Sequence, residues 1–161
     1  MNPLAYFQEH PANEGLVLQV DFKTPKTLVI VVERPLRLYA CASEHPARGV
    51  REFVRFEFGG LKHYSRTQSS RPLESHTDYN LHRDKGGVAI YGVKVTTIAN
   101  GYSFEATLSN FGIVSFEFSS FTIERCSAKA VGQTESGDWK YVNQATGEVV
   151  DFYNPFASQC Q

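Results

Sequence analysis

Apolar side chains recur at every second position along most of this chain, and no long stretch repeats them with helical spacing. Successive side chains of a strand point to opposite faces, so a period of two restricts the fold to sheets with one buried face. Leu16, Leu18, Val20 and Phe22 alternate with Val17, Gln19 and Asp21, and Leu28, Ile30 and Val32 repeat the pattern after Lys23-Thr24-Pro25-Lys26. The two runs predict a hairpin. Pro25 suits an early turn position and Pro35 ends the second run, because neither ring can donate to a ladder.

The same reading carries through the rest of the chain. Leu36 to Cys41 reads as a short strand, followed by a loop from Ser43 to Gly49. From Val50 to Phe58, Val54, Phe56 and Phe58 form one face while Arg55 and Glu57 form the other; Gly59-Gly60 then marks a bulge or tight turn before Leu61 to Ser65. Asn100-Gly101 predicts a two-residue type I′ hairpin turn. That turn would set Thr97 opposite Phe104, Val95 opposite Ala106 and Val93 opposite Leu108, with Thr96 facing Glu105 and Lys94 facing Thr107 on the polar side. Beyond Asn110-Phe111-Gly112, the apolar phase runs through Val114, Phe116 and Phe118, slips at Ser119-Ser120 and resumes on Phe121 and Ile123. A bulge belongs at those serines, since a one-residue slip otherwise exposes half the strand. Ser127 to Gly137 reads as a polar, small-residue connector. Trp139 to Val142 and Glu148 to Phe152 form a last hairpin, with both Trp139 and Tyr141 expected to be buried against the main sheet.

The expected fold is all-β, or a β-rich α+β variant: antiparallel sheets in a sandwich or partly open barrel, with a C-terminal hairpin at about 138–153. With 161 residues, 42% hydrophobic and including 12 Phe and 8 Tyr, the chain can bury one substantial core, so residues 1–161 read as a single domain. A formal charge of −1 supplies no field for gathering phosphate backbone or an anionic membrane, which argues against nucleic-acid and membrane partners. Met1 to Leu16 lacks the pattern of a secretory leader, and no run approaches the apolar length of a membrane helix. Three widely spaced cysteines, Cys41, Cys126 and Cys160, suggest neither a disulfide framework nor a zinc site, and a cytoplasmic location is expected.

Chemistry-bearing residues concentrate between Arg66 and Gly87, where the composition turns to Ser, Thr, Arg, His and Asp. A polar loop of this length is commonly either functional or mobile. His76, Asp78 and His82 are of metal-ligating type but lack a ligand rhythm, and Ser75, His76 and Asp78 are adjacent in sequence without any sign of triad geometry. Glu52 with Glu57, or Glu105 with Glu117, offer carboxylate pairs of the glycosidase kind, for which pairing with Lys94 or Arg55 on a solvated face is the simpler account. Tyr91, Tyr102 and Phe104 offer stacking surfaces that core packing explains equally well. No nucleophile elbow, zinc-binding helix motif or phosphate loop occurs, so no catalytic residue, metal or cofactor is assigned.

Leu16 to Glu33, then Phe53-Val54-Arg55-Phe56-Glu57-Phe58-Gly59-Gly60-Leu61, then Tyr102 to Arg125 follow a known order of segments. An N-terminal hairpin, an F-x-F/E-G-apolar segment, and later Y-x-φ-x-φ and F-x-F-x-x-φ-x-φ strands (φ apolar) make the chain resemble small β-rich immunity proteins of bacterial polymorphic toxin systems. The last motif stands here as Phe116-Glu117-Phe118-Ser119-Ser120-Phe121-Thr122-Ile123. The resemblance implies a cytoplasmic, non-enzymatic protein that binds one cognate toxin domain and blocks its active site or substrate access. The long polar insertion and the extended tail depart from that pattern. The expected contact surface is the polar stretch, through Arg71, Glu74, His76, Asp78, Tyr79, His82, Arg83 and Asp84, which combine both charge signs with an aromatic anchor. Two other functions fit the same sequence: a β-barrel or sandwich whose interior holds a small ligand or substrate, and a phage-encoded inhibitor of a host protein. Exposed sheet edges leave both monomer and dimer open.

Overall fold

The computed structural model describes residues 1–10, 15–35, 50–68, 88–109, 111–137, 139–152 and 154–157. Among these residues stand one helix, α1 (Pro3–Glu9), and ten strands. The strands are β1 (Leu16–Thr24), β2 (Thr27–Pro35), β3 (Val50–Gly59), β4 (Lys62–Gln68), β5 (Val88–Ile98), β6 (Gly101–Leu108), β7 (Gly112–Phe118), β8 (Ser120–Gln133), β9 (Trp139–Asn143) and β10 (Val149–Val150). All pairings are antiparallel, in the order β10-β9-β8-β3-β2-β1-β5-β6-β7-β4, and the sheet does not close on itself. The all-β expectation therefore holds, with an open sheet bent into two layers.

One corner of the bend is built from glycine and serine. β3 pairs with β8 in the first layer, while their continuations β4 and β7 pair in the second. Both strands turn at the same level: Gly59 faces Ser120, and the Ser119 N–H donates to the Gly59 carbonyl over 2.9 Å. Gly60 has φ +69°, and a Cβ there would run into the Ser119 hydroxyl. A side chain at position 60 would thus be strained twice, in its backbone and against its neighbour. The serine bulge expected from the slipped apolar phase is the place where the strand changes layers, a known role of bends in crossed sheets.

The main core lies between the layers. Val20, Leu28, Ile30, Val32, Val54, Phe56, Phe58 and Phe121 from one side meet Ile90, Phe104, Ala106, Leu108, Val114, Phe116 and Phe118 from the other. Phe58 is at its centre, with ring centroids of Phe116, Phe104, Phe118 and Phe121 at 5.0, 5.1, 5.1 and 5.2 Å. Helix α1 closes one mouth: the Asn2 side chain caps it by accepting from the Leu4 N–H over 2.9 Å, and Pro3 suits its first turn. It sends Tyr6 and Phe7 against Phe56 and Phe121. At seven residues α1 is too short to show a helical period, and the sequence did not lead us to expect it.

A second core lies on the opposite face of the first layer, where Leu18, Val29, Val31, Phe53, Cys126 and Ala128 pack against Tyr141, Val150 and Phe156 from the tail. This core corrects two expectations. β1 does not keep one phase: the register passes from Val17↔Val32 to Gln19↔Val31, leaving Leu18 as a bulge. Val17, Val20 and Phe22 consequently face the main core, while Leu18 is buried in the second. Ser127 to Gln133, read as connector, is strand, because β8 runs on to Gln133 and its small residues fit beneath the tail. The tail hairpin is where the sequence placed it; Tyr141 is buried, but Trp139 is 59% exposed. The expected burial of Trp139 fails because its strand partner, Gln133, lies near the end of β8, beyond the second core.

The β5–β6 hairpin is also displaced. Ile98 faces Gly101, Thr97 faces Tyr102, Val95 faces Phe104 and Val93 faces Ala106, so Ala99-Asn100 forms the turn. Gly101 is used differently: at φ +143°, its Cα stands so close to the Phe118 carbonyl that a Cβ would collide with that oxygen. The register moves by two residues, which preserves side-chain parity, so the apolar face is the one expected. Both free edges are blunted, one by the brevity of β10 and the other by a register skip in β4 where His63 takes φ 52°. The expected strand at 36–41 and the loop after it lie outside the described residues.

Candidate functional site

Arg71, Glu74, His76, Asp78, Tyr79, His82, Arg83 and Asp84 all lie outside the described residues, as do Ser75, Cys41 and Cys160. The positions that flank the stretch are described. Gln68 faces Gly112, Gly112 faces Leu108, and Leu108 faces Ile90, so the last residue of β4 and the first turn of β5 share one end of the second layer. Three strand spacings separate them, about 14 Å.

That end carries an unusual cation. Arg66 points to the core side of β4, opposite Val114, and its guanidinium carbon sits 4.7 Å from the centroid of the fully buried Phe111 ring. Stacking on an aromatic face stabilises a guanidinium. Its Nε and Nη1 are nevertheless covered and have no hydrogen-bond acceptor among the described residues. A covered donor left unpaired costs about 1–3 kcal/mol, so native structures rarely leave one without a use.

Several other charged groups are paired. Glu33, 1% exposed, accepts from the Arg51 guanidinium over 2.8 Å. Glu52 lies between Arg34 at 4.0 Å and Arg125 at 3.8 Å, and Arg125 also reaches over the Tyr6 ring at 5.7 Å. On the other face of β3, Arg55 binds Glu57 at 3.3 Å and Glu124 at 3.1 Å, while Lys23 binds Glu57 at 3.2 Å. Glu52 and Glu57 are five residues apart in one strand and so project to opposite faces; they cannot act as a pair on one substrate. Glu105 and Glu117 share the outer face of the second layer, where Lys94 faces the first and Lys62 the second. Glu117 lines an open groove of about 330 Å³ with Lys62, His63 and Asn100, and Glu105 is not part of it.

Cys126 is buried in the second core, and burial first, then the Glu124 carboxylate, pushes its thiol above the ordinary range. Asn143 Nδ2–H points at its sulfur over 3.4 Å. The group is held as a neutral thiol, the opposite of an activated nucleophile. Among the described residues, no three His, Cys, Asp or Glu side chains come together as metal ligands; His76, Asp78 and His82 lie outside them.

Among the described residues, the interior between the layers is filled. The space lined by Phe7, Val20, Ile30, Phe56, Phe104 and Val114 amounts to about 10 Å³ and presents no polar surface. That is at the lower limit for one water molecule and far from the several hundred cubic ångströms of a ligand pocket. Phe104 and Tyr102, raised as stacking surfaces, belong to this packing, whereas Tyr91 is 69% exposed. Larger concavities lie outside the core. One, of about 380 Å³, runs along the tail hairpin past Trp139, Lys140, Tyr141, Val149 and Phe152; another of the same volume lies between Asp21, Lys23, Arg55 and Phe156. No helix among the described residues is long and apolar enough to cross a membrane. No protein-family model matches this chain, no curated protein matches it, and no solved structure matches its fold.

Proposed function

We propose that this chain is a non-enzymatic protein-binding module whose partner is a bacterial toxin domain that it neutralises. The observation that carries the reading is the filled interior among the described residues, about 10 Å³ of free space between two layers that a ligand-binding barrel would hold apart. A fold that gives its aromatic residues to packing retains its outer surface for recognition. The order of segments shared with immunity proteins of polymorphic toxin systems supports a toxin domain as the class of partner. Exposed Trp139 and Tyr91 are residue types enriched among interface anchors. The end of the second layer, where Gln68 and Val88 bracket the stretch from Arg71 to Asp84, is the proposed contact surface.

Neutralisation is tested by co-expressing the chain with the toxin domain encoded beside it. Restored growth, together with a 1:1 complex of the purified proteins, supports the reading; unabated toxicity with no complex sinks it. The combined substitution of Tyr79→Ala and Arg83→Ala then tests the surface. Loss of affinity of tenfold or more places the stretch in the interface, and unchanged affinity removes it.

A further inference from the structure

Helix α1 is joined to the rest of the fold in a way that no strand is. Its hydrogen bonds stay local: the Asn2 side chain accepts from the Leu4 N–H, the Asn2 carbonyl from the Tyr6 N–H and the Tyr6 carbonyl from the His10 N–H. Among the described residues, none runs from α1 to the sheet. What holds the helix is apolar packing, led by two rings. Tyr6 has the ring centroids of Phe56 and Phe121 at 5.8 and 6.0 Å, and Phe7 has those of Phe56, Phe121 and Phe104 at 5.3, 5.6 and 5.7 Å.

Two features oppose this docking. Tyr6 is 5% exposed, and its hydroxyl oxygen is covered without a hydrogen-bond partner among the described residues. Water satisfies that hydroxyl whenever the helix is away from the sheet, so burying it works against closure. Seven residues are also too few to hold a helix in water without packing, so α1 either docks or melts. Undocking strands no charge: Arg125, which lies 5.7 Å from the centroid of the Tyr6 ring, also has Glu52 at 3.8 Å. β3, by contrast, is paired along its length by β2 on one side and β8 on the other.

We propose that α1 is a detachable plug: it leaves its mouth as a unit while the sheet stays folded, and so switches the space beneath Phe7 between covered and bare. That space is bounded by Val20, Ile30, Phe56, Phe104 and Val114 and presents no polar surface, so the bared mouth is wholly apolar. The device stands apart from the identity of any partner.

Native-state hydrogen exchange of the full chain, followed by NMR through urea concentrations below the unfolding transition, reads the opening. The Tyr6 and His10 amides, both bonded inside α1 and its cap, report on the plug, and the amides of β3 report on the sheet. The expected result is exchange in α1 at least roughly 100-fold faster than in β3 and nearly independent of urea, since a local opening exposes little surface. Tyr6→Phe removes the unsatisfied hydroxyl and is expected to slow the α1 amides by about fivefold or more. Exchange of α1 that rises with urea and merges with that of β3 overturns the proposal, because the helix then leaves only when the whole chain unfolds. A slowing of less than about twofold in Y6F, or faster exchange, also overturns it: such a helix frays in place and its hydroxyl does not oppose docking.

Discussion

Replacing Phe58 with alanine is the most direct probe of the packing on which the functional reading depends. Phe58 has no exposed surface, and four other phenylalanine rings lie with centroids 5.0 to 5.2 Å from its own. Truncating a buried phenylalanine costs about 3–5 kcal/mol, and the upper part of that range applies where the surroundings cannot move in to fill the void. Here the ladders resist collapse: Phe58 pairs with both Leu28 and Phe121, and Phe104, Phe116 and Phe118 belong to the paired strands β6 and β7. A loss of about 4 kcal/mol is expected. At a slope of about 2 kcal/mol per molar urea, the midpoint of unfolding falls by roughly 2 M with the slope unchanged. Thermal unfolding falls by roughly 8–16 °C, at 2–4 °C per kcal/mol for a chain of this size. Tyr91→Ala, at a 69% exposed position, is the control and is expected to stay within about 0.5 kcal/mol of the parent. A loss below about 1 kcal/mol for Phe58→Ala would refute the reasoning, because an interior that tolerates the change has slack in which a ligand could sit.

Gly101→Ala is expected to destabilise by more than Gly147→Ala in the same urea assay: both have positive φ, at 143° and 73°, but a Cβ at 101 collides with the Phe118 carbonyl while the space around 147 is open. Equal losses would remove the close approach from the account. Trp139 is the sole tryptophan, so its emission should be that of a solvated indole, readily quenched by iodide, and Trp139→Ala should change stability by no more than about 0.5 kcal/mol. A shielded, blue-shifted emission would contradict its placement. The Cys126 thiol has a raised pKa in the folded chain, so its contribution to stability is fully present below the unfolded thiol's pKa and is lost as pH rises through the folded one. Stability of the parent should therefore fall across the alkaline range more steeply than that of Cys126→Ala. Identical slopes would show that the thiol is not buried.

Strand content was legible because the period of two persists through β2, β3, β6 and β7, where each strand keeps one face on the main core. The slip at Ser119-Ser120 was legible for the same reason, since Phe118 and Phe121 both had to be buried and no unbent strand does that. What escaped was decided by contacts remote in sequence. The phase of β1 inverts at Leu18 because a second core waits on the other face, and that core is supplied by Tyr141, Val150 and Phe156 from the far end of the chain. The hairpin register was misplaced because Gly101 answers to Phe118 on β7 rather than to its own turn. Arg66 was read as the first residue of the polar loop, whereas β4 carries it and runs on to Gln68. Its signal was positional: it falls in the core phase of β4, two residues from Tyr64, in a strand without an acid to pair it.

The measurement that tests the binding-module reading most directly is mass analysis of what the tagged full chain retains from its native lysate, followed by an activity assay of the retained protein free and bound. One stoichiometric protein partner, active alone and silent in the complex, is the predicted result. Recovery of the chain without any protein partner, or with a small molecule in a defined ratio, would contradict it.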